Sequence, residues 1–135
     1  MGLDRNVHLS GDHRILMVDD DPAVVQVAQE MLRLIGYAAD GFTDGAEALR
    51  ALSRRPSSYD LLVTDLIMPR LTGQQVIASA LRIKPQLPVL VTSGDATEGA
   101  RAFLRGPGVV GVLTKPFSMA ELAETVREVF GAANR

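Results

Sequence analysis

The sequence predicts an α/β protein in which an open sheet of parallel strands is covered by helices on both faces. Short apolar runs alternate along the chain with segments whose apolar residues recur every three or four positions. The first pattern indicates buried strands, and the second indicates amphipathic helices. Strands that alternate with helices form parallel βα units, and apolar runs without period-two alternation are typical of strands buried on both faces. In such sheets the ligand site lies beyond the carboxyl ends of the strands.

Five strands and five helices are predicted. The apolar runs that predict the strands lie at residues 15–18, 38–42, 61–64, 89–92 and 109–113. Apolar residues at helical spacing mark the helices between and after them. In chain order these are Val24, Val27, Ala28, Met31 and Leu32; Ala46, Leu49 and Leu52; Val76, Ile77, Ala80 and Leu81; Ala100, Phe103 and Leu104; and Leu122, Val126, Val129 and Phe130.

Each predicted helix begins at a side chain that suits an N-cap. Asp21 precedes Pro22, which fits the first helical position because the N–H that proline lacks would have no helical partner there. The other helices begin with capping-box spacing or a close variant, in the pairs Asp44 and Glu47, Thr72 and Gln75, Asp95 and Glu98, and Ser118 and Glu121. Gly131 is predicted to end the last helix.

The composition indicates one globular domain with a polar start. The 135 residues are 47% hydrophobic and 22% charged, carry a net charge of -2 and include no cysteine. We expect a polar tail or linker over residues 1–13, the domain over 14–131 and a C-terminal tail over 132–135. The lack of cysteine excludes thiol nucleophiles and disulfides and suits a cytoplasmic location. The near-neutral charge and the lack of a run of roughly 20 apolar residues predict neither a nucleic-acid partner nor membrane contact.

Polar side chains gather at the predicted carboxyl ends of the strands. Asp19 and Asp20 follow the first strand, Asp65 the third, Ser93 the fourth and Lys115 the fifth. Carboxylates held close together repel one another and recruit a cation, and oxygen ligands favour magnesium, manganese or calcium. Few protein ligands, completed by several waters, favour magnesium. A carboxylate beside such a metal, with an amine and a hydroxyl nearby, is equipped to attack phosphorus.

Four motifs at these strand ends resemble those of response-regulator receiver domains of bacterial two-component systems. They occur in the family's order and spacing between residues 14 and 130, and they read ILMVDDDP from Ile15, DLIMP from Asp65 with Gly73 after it, VLVTSG from Val89, and KPF from Lys115. The resemblance implies a doubly wound five-stranded sheet of flavodoxin-like order 2-1-3-4-5. It also implies a cis Lys115–Pro116 bond that aims the lysine inward.

The same resemblance implies a magnesium site built around the phosphorylated residue. Asp65 would be both the phosphoacceptor and a metal ligand. Asp20 would bind Mg²⁺ directly, and Asp19 would act mostly through a water. The backbone carbonyl of Ile67 would complete the protein ligands.

The remaining site residues would handle the phosphoryl group. Ser93 would bind it and report on it, and Lys115 would pair with it. The resemblance implies transfer from the phosphohistidine of a histidine kinase or a histidine phosphotransfer protein, followed by a change in the surface offered to a downstream protein. Such a chain is a signalling phosphoacceptor that catalyses its own phosphorylation and dephosphorylation, and we do not class it as an enzyme. The alternative is a receiver-fold adaptor that binds a partner without being phosphorylated.

Two positions depart from the usual receiver pattern. Val112 stands three residues before the lysine, where many receivers place Tyr or Phe, so we expect a less sharp switch through the fourth helix, fifth strand and last helix. Ile67 cannot hydrogen-bond a hydrolytic water, which predicts a slowly decaying aspartyl phosphate unless Asp95 orients that water. The second half of the sequence is similar to receivers attached to hybrid histidine kinases. The sequence therefore leaves two alternatives open: the chain is a stand-alone receiver, or it is a piece of a longer kinase.

Other phosphoryl and metal chemistries fit the sequence poorly. Asp19, Asp21 and Glu30 hold three EF-hand positions, but Ala23 and Val24 stand where that loop needs a ligand and a glycine. The sequence contains no Walker A or Gly-x-Gly-x-x-Gly loop. Phosphatases of the haloacid-dehalogenase type need a second aspartate two residues after the first, and Ile67 occupies that place.

Overall fold

The computed structural model describes residues 13–94, 106 and 108–133, which form a parallel sheet flanked by helices. The strands are β1 (Arg14–Val18), β2 (Ala38–Phe42), β3 (Leu61–Asp65), β4 (Val89–Ser93) and β5 (Val109–Thr114). The α-helices are α1 (Pro22–Leu34), α2 (Gly45–Arg54), α3 (Gly73–Ile83) and α4 (Met119–Ala133), with a 3₁₀ turn at Pro56–Ser58. The predicted fourth helix and its cap at Asp95 lie outside the described residues.

The strand order is β2-β1-β3-β4-β5, and each neighbouring pair is parallel. This order confirms the predicted doubly wound topology. The chain moves from β1 outward to β2 and then returns across β1 to β3, so the winding direction reverses between β1 and β3. The carboxyl ends of these two strands therefore flank the crevice where ligands bind in such sheets.

The core has two parts, one on each face of the sheet. On the α2/α3 face, helices α2 and α3 cover the buried strand residues Leu16, Val18, Leu62, Val89 and Val91. On the opposite α1/α4 face, helices α1 and α4 cover Ile15, Met17, Leu61, Val63, Leu90 and Leu113. Because successive strand residues point to opposite faces, these two sets fix the direction of the polar residues that follow them. No described helix is long and apolar enough to cross a membrane.

The predicted caps explain where most helices begin. The Asp21 carboxylate accepts a hydrogen bond from the N–H of Ala23 at 3.0 Å, and the Asp44 carboxylate accepts one from Ala46 at 2.9 Å. The other two helices carry reciprocal capping boxes, formed by Thr72 with Gln75 and by Ser118 with Glu121. These bonds satisfy N–H groups that the first helical turn leaves without partners.

The prediction that Gly131 ends the last helix was wrong, because α4 continues through Ala133. A glycine ends a helix when it takes a positive φ angle that other residues avoid. Gly36, just after α1, does so with a φ of 106°, whereas Gly131 is not among the described residues with positive φ. The helix therefore extends two residues past Gly131, and the predicted domain bounds of 14–131 stay a prediction.

The buried face of α1 also differs from the predicted one. Val27 is one of the apolar residues whose spacing predicted this helix, but it is 49% exposed, while Val25, which was not among them, is buried. Gly41 on β2 explains the difference, since a Cβ atom there would lie 2.4 Å from Cγ1 of Val25. The bare glycine backbone gives Val25 its place against the sheet.

Polar side chains close the outer edge of β2. The carbonyl of Ala39 accepts hydrogen bonds from the Gln29 amide at 3.1 Å and from the Arg33 guanidinium at 2.9 Å, both on α1. Nearby, Asp40 of the same strand accepts from Arg14 at 3.0 Å and from the Tyr59 hydroxyl at 2.7 Å. Burial, and next the hydrogen bond to Asp40, raise the pKa of Tyr59 to about 12.

Candidate functional site

Three carboxylates meet at the carboxyl ends of β1 and β3. Asp19 is completely buried and Asp65 is 6% exposed, whereas Asp20 is exposed. One carboxylate oxygen from each residue lies within 4.8 Å of the other two. The structure thus brings the three predicted metal-binding side chains together, and their oxygen-only donor set fits a hard divalent cation. The predicted contribution of the Ile67 carbonyl stays a prediction.

Lys115 reaches into this acidic cluster from the loop after β5. Its ammonium donates to the Asp19 carboxylate at 2.6 Å and to the Asp65 carboxylate at 3.0 Å. Burial alone would lower the pKa of Lys115, but its hydrogen bonds and ion pairs with the two carboxylates outweigh burial and raise this pKa above its usual value. The bond between Lys115 and Pro116 is cis, as the resemblance implies.

Backbone N–H groups orient the two buried carboxylates. The N–H of Asp21 donates to the Asp19 carboxylate at 2.9 Å, and the N–H of Ile67 donates to the Asp65 carboxylate at 3.4 Å. The N–H of Lys115 donates to the carbonyl of Ser93 at 2.8 Å, which ties the loop after β5 to the end of β4. Hydrogen bonds to a carboxylate stabilise its charged form, the form needed for metal binding and for nucleophilic attack.

Gly73 holds the loop after β3 close to Asp65. Its N–H donates to the carbonyl of Leu66 at 2.9 Å. A Cβ atom at Gly73 would lie 2.3 Å from the carbonyl oxygen of Asp65 and 2.6 Å from the Cα of Leu66. Only glycine allows this close approach of two backbone segments. Packing therefore explains why the residue at position 73, after the DLIMP motif, is glycine.

The remaining predicted residues lie around this centre. Ser93 ends β4 and is 3% exposed, one position beyond Thr92, which pairs with Asp65 in the sheet. Ile67 is 78% exposed, so its apolar side chain stands at the rim of the site. Val112 on β5 is half-buried and packs against the α2/α3 core. Its effect on switching stays a prediction, because the helix expected beside it falls on undescribed residues.

Two features of the site were not predicted from the sequence. Thr92 is completely buried, and its hydroxyl has no hydrogen-bond partner within the part of the chain that the structure describes. An open apolar cavity of about 500 Å³ also lies beside Lys115, and it is lined by Ala23, Val24, Val27, Ala28, Met31, Pro116 and Phe117. The sequence did not signal this cavity, because Val27, which lines it, is 49% exposed and not packed in the core.

A family model agrees with this geometry. The model described as "Response regulator receiver domain" matches residues 15–127, which is most of the chain. The chain belongs to the response regulator receiver family. It is therefore a receiver of two-component signalling, and its curated relatives include proteins of the bacteria Brucella abortus and Haemophilus influenzae.

This receiver matches one curated relative over almost its full length and others over only a part of their length. It is 29% identical to the sensor kinase CckA of Brucella abortus over 94% of its own length and 13% of CckA. It is 36% identical to the transcriptional regulatory protein QseB of Haemophilus influenzae over 82% of its length and 49% of QseB. It is 30% identical to the receiver protein CpdR of Brucella abortus over 89% of its length and 98% of CpdR. The receiver thus spans only a part of the first two relatives.

Solved structures place the receiver among the same proteins. It superposes on the receiver domain of the hybrid histidine kinase CckA with a TM-score of 0.73, 35% identity and coverage of 85% of this chain and 96% of that one. The receiver domain of the sensor histidine kinase PA1611 from Pseudomonas aeruginosa PAO1 gives a TM-score of 0.78, 28% identity and coverage of 90% and 99%. That structure carries a magnesium ion coordinated in its active-site cleft.

Proposed function

We propose that this receiver accepts a phosphoryl group on Asp65 in a reaction that depends on Mg²⁺. The observation that carries the proposal is the Lys115 ammonium, which bonds to two buried carboxylates, Asp19 at 2.6 Å and Asp65 at 3.0 Å, beside the exposed carboxylate of Asp20. Structural ion pairs rarely bury two acids against one base, because the excess negative charge is costly to desolvate. A bound divalent cation would offset this excess negative charge, and a carboxylate would remain available to attack an incoming phosphoryl group.

Asp19, Asp20, Asp65 and the carbonyl of Ile67 would hold the metal ion. When bound, Mg²⁺ neutralises negative charge on the phosphoryl oxygens and on the carboxylates. The donor set supports this assignment because all of its side chains offer oxygen. The magnesium ion in the PA1611 receiver supports it by likeness.

An oxygen of Asp65 would act as the nucleophile toward a phosphohistidine. It forms a bond to phosphorus while the bond between phosphorus and the imidazole nitrogen breaks, and the electron pair of that bond returns to the nitrogen. Lys115 pairs with the phosphoryl oxygens and Ser93 donates a hydrogen bond to one of them. The products are an aspartyl phosphate and a free histidine. Hydrolysis of the aspartyl phosphate by water later restores the carboxylate, so both steps use the receiver's own residues.

The donor would be a histidine kinase or a histidine phosphotransfer protein. The apolar cavity beside Lys115 supports a protein donor, because a small phosphate compound has no need for it. Phosphorylation would then change the surface offered to a downstream protein, and we propose that this takes place in the cytoplasm.

The test is the mass of the intact protein after incubation with acetyl phosphate and Mg²⁺. We expect one added phosphoryl group on the wild type, and none after chelation with EDTA. Asp65→Asn keeps the side-chain size and removes the nucleophile, so its mass should not change. Asp21→Asn is the matched control: this acid belongs to the same acidic run but caps α1, and the variant should gain the group as the wild type does.

Failure of the wild type to gain mass would favour the alternative, a receiver-fold adaptor that works without phosphorylation. Gain of mass by Asp65→Asn would instead move the acceptor to another residue. Gain in the presence of EDTA would remove the metal from the reaction.

A further inference from the structure

Thr92 carries a buried polar group that the site described above does not use. Its side chain is completely buried on β4, and its hydroxyl has no hydrogen-bond partner among residues 13–94, 106 and 108–133. A buried hydroxyl without a partner destabilises the folded state. Thr64, an equally buried threonine on the neighbouring strand, avoids this cost because its hydroxyl donates to the Asp65 carbonyl at 3.0 Å.

The sheet register places Thr92 beside the acceptor. Thr92 pairs with Asp65 of β3 on one side and with Leu113 of β5 on the other, and neighbouring strands lie about 4.8 Å apart. Thr92 follows Leu90 by two residues and Asp65 follows Val63 by two, and both apolar residues belong to the α1/α4 face. The two polar side chains therefore point to the same face of the sheet.

The neighbours on this face leave few partners for the hydroxyl. Leu113 offers no polar atom, and Gly94, two residues after Thr92, has no side chain. The polar groups closest in the register are the Asp65 carboxylate and the Lys115 ammonium, which lies two residues after Leu113 and bonds to Asp65. In this form of the site, Lys115 and the N–H of Ile67 supply the hydrogen bonds that Asp65 accepts.

We propose that Thr92 is a positioning residue for the acceptor and donates a hydrogen bond to Asp65 when Lys115 turns to the phosphoryl group. This inference rests on the proposed phosphorylation of Asp65. As Lys115 leaves, one carboxyl oxygen of Asp65 loses its donor in a buried place. The Thr92 hydroxyl then bonds to the oxygen that does not join phosphorus, and so holds the carboxyl group in the orientation needed for attack. The hydroxyl thus gains in the phosphorylated protein the partner that it lacks here.

The test compares Thr92→Val, Thr92→Ser and a matched control, Thr64→Val. All three are measured for thermal stability without metal, for the rate of phosphorylation by acetyl phosphate with Mg²⁺, and for affinity toward beryllofluoride with Mg²⁺, a phosphoryl mimic. Thr92→Val should melt at a higher temperature than the wild type, because it removes an unpartnered hydroxyl, yet phosphorylate about tenfold more slowly and bind beryllofluoride about tenfold more weakly. Thr92→Ser keeps the hydroxyl and should recover both functions. Thr64→Val loses a satisfied hydrogen bond, so it should melt at a lower temperature and phosphorylate within about twofold of the wild type.

In Thr92→Val the melting temperature should rise while the phosphorylation rate falls, and these opposite changes distinguish a positioning residue from a purely structural one. A purely structural threonine would lower stability and activity together. Wild-type rates and beryllofluoride affinity in Thr92→Val would overturn the inference and leave the proposed function intact. A wild type that takes up neither phosphoryl group nor mimic would overturn both.

Discussion

At the scale of single residues, the site is defined by where charge is buried. Asp19 and Asp65 are withdrawn from water at the ends of adjacent strands, and a single lysine ammonium bonds to both. A buried ion pair with excess negative charge is a poor device for stability. It suits the uptake of a cation and then of a phosphoryl group that we propose for this site.

Ile67 at the rim of this site leads to a prediction about the lifetime of the aspartyl phosphate. Its exposed, apolar side chain has no group that could position a hydrolytic water, so decay of the phosphorylated protein should take minutes or longer. Ile67→Asn supplies a hydrogen-bonding side chain and should accelerate decay about tenfold. Ile67→Val, which stays apolar, should decay like the wild type. The measurement is the loss of phosphoprotein with time by intact mass, and a lifetime of seconds for the wild type would contradict the prediction.

At the scale of elements, the junction between β3 and α3 fixes the position of Asp65, the proposed acceptor. Gly73 begins α3, and its Cα packs directly on the backbone of Asp65 and Leu66. The acceptor loop can therefore move only if the start of α3 moves with it.

Gly73→Ala tests this junction. The added methyl group would have to displace the Asp65 backbone, so we expect a loss of about 2 kcal/mol in the free energy of unfolding and slower phosphorylation. Gly131→Ala is the control, since among the described residues a Cβ atom there would meet nothing within 4 Å beyond the helix's own backbone, and alanine favours the helix by roughly 0.5–1 kcal/mol. Urea denaturation measures both variants. Equal stability of Gly73→Ala and the wild type would show that the loop is looser than its packing indicates.

The elements also show which parts of the fold could be predicted from the sequence. The caps at Asp21, Asp44 and Thr72 are local and form at the predicted residues, although Asp44 accepts from the N–H of Ala46 and not from that of Glu47. The buried face of α1 was shifted because Val25 fits against the bare backbone of Gly41, a contact between distant elements that periodicity cannot reveal.

The same distinction applies to the site. Asp19, Asp20, Asp65 and Lys115 were predicted to converge because topology alone brings strand ends together, and the structure places them together. The unpartnered hydroxyl of Thr92 could not be predicted, because its surroundings depend on the register of three strands.

At the scale of the whole molecule, the end of the sheet opposite the site has its own electrostatic anchor. Arg14, Asp40 and Tyr59 join the starts of β1 and β3 to the strand β2. The Tyr59 hydroxyl donates to Asp40, so it must stay protonated for the anchor to hold.

This anchor predicts how stability depends on alkaline pH. The pKa of Tyr59 is about 12 in the folded protein against an ordinary value of 10.0, so the folded state retains a proton that the unfolded state has lost. The stabilisation of the folded state by Tyr59 is therefore fully present below about pH 10 and is lost as the pH rises toward about 12. Urea midpoints measured across this range should fall less steeply for Tyr59→Phe than for the wild type. The control Tyr37→Phe leaves the hydrogen bond between Tyr59 and Asp40 intact, so its urea midpoint should fall with pH almost as steeply as that of the wild type. If the midpoints of the wild type and Tyr59→Phe fall equally steeply, the proposed role of Tyr59 is wrong.

The double hydrogen bond to the Ala39 carbonyl has a consequence for how this receiver behaves among other chains. An edge strand of a sheet presents unpaired backbone N–H and C=O groups with which a strand of another chain can pair, and such pairing leads to aggregation or domain swapping. At the middle of β2, Gln29 and Arg33 already occupy the acceptor that an arriving strand would need. An invading strand would have to displace both side chains and desolvate the guanidinium before forming its first bond. Helix α1 thus protects the outer edge of β2 against pairing with a strand of another chain.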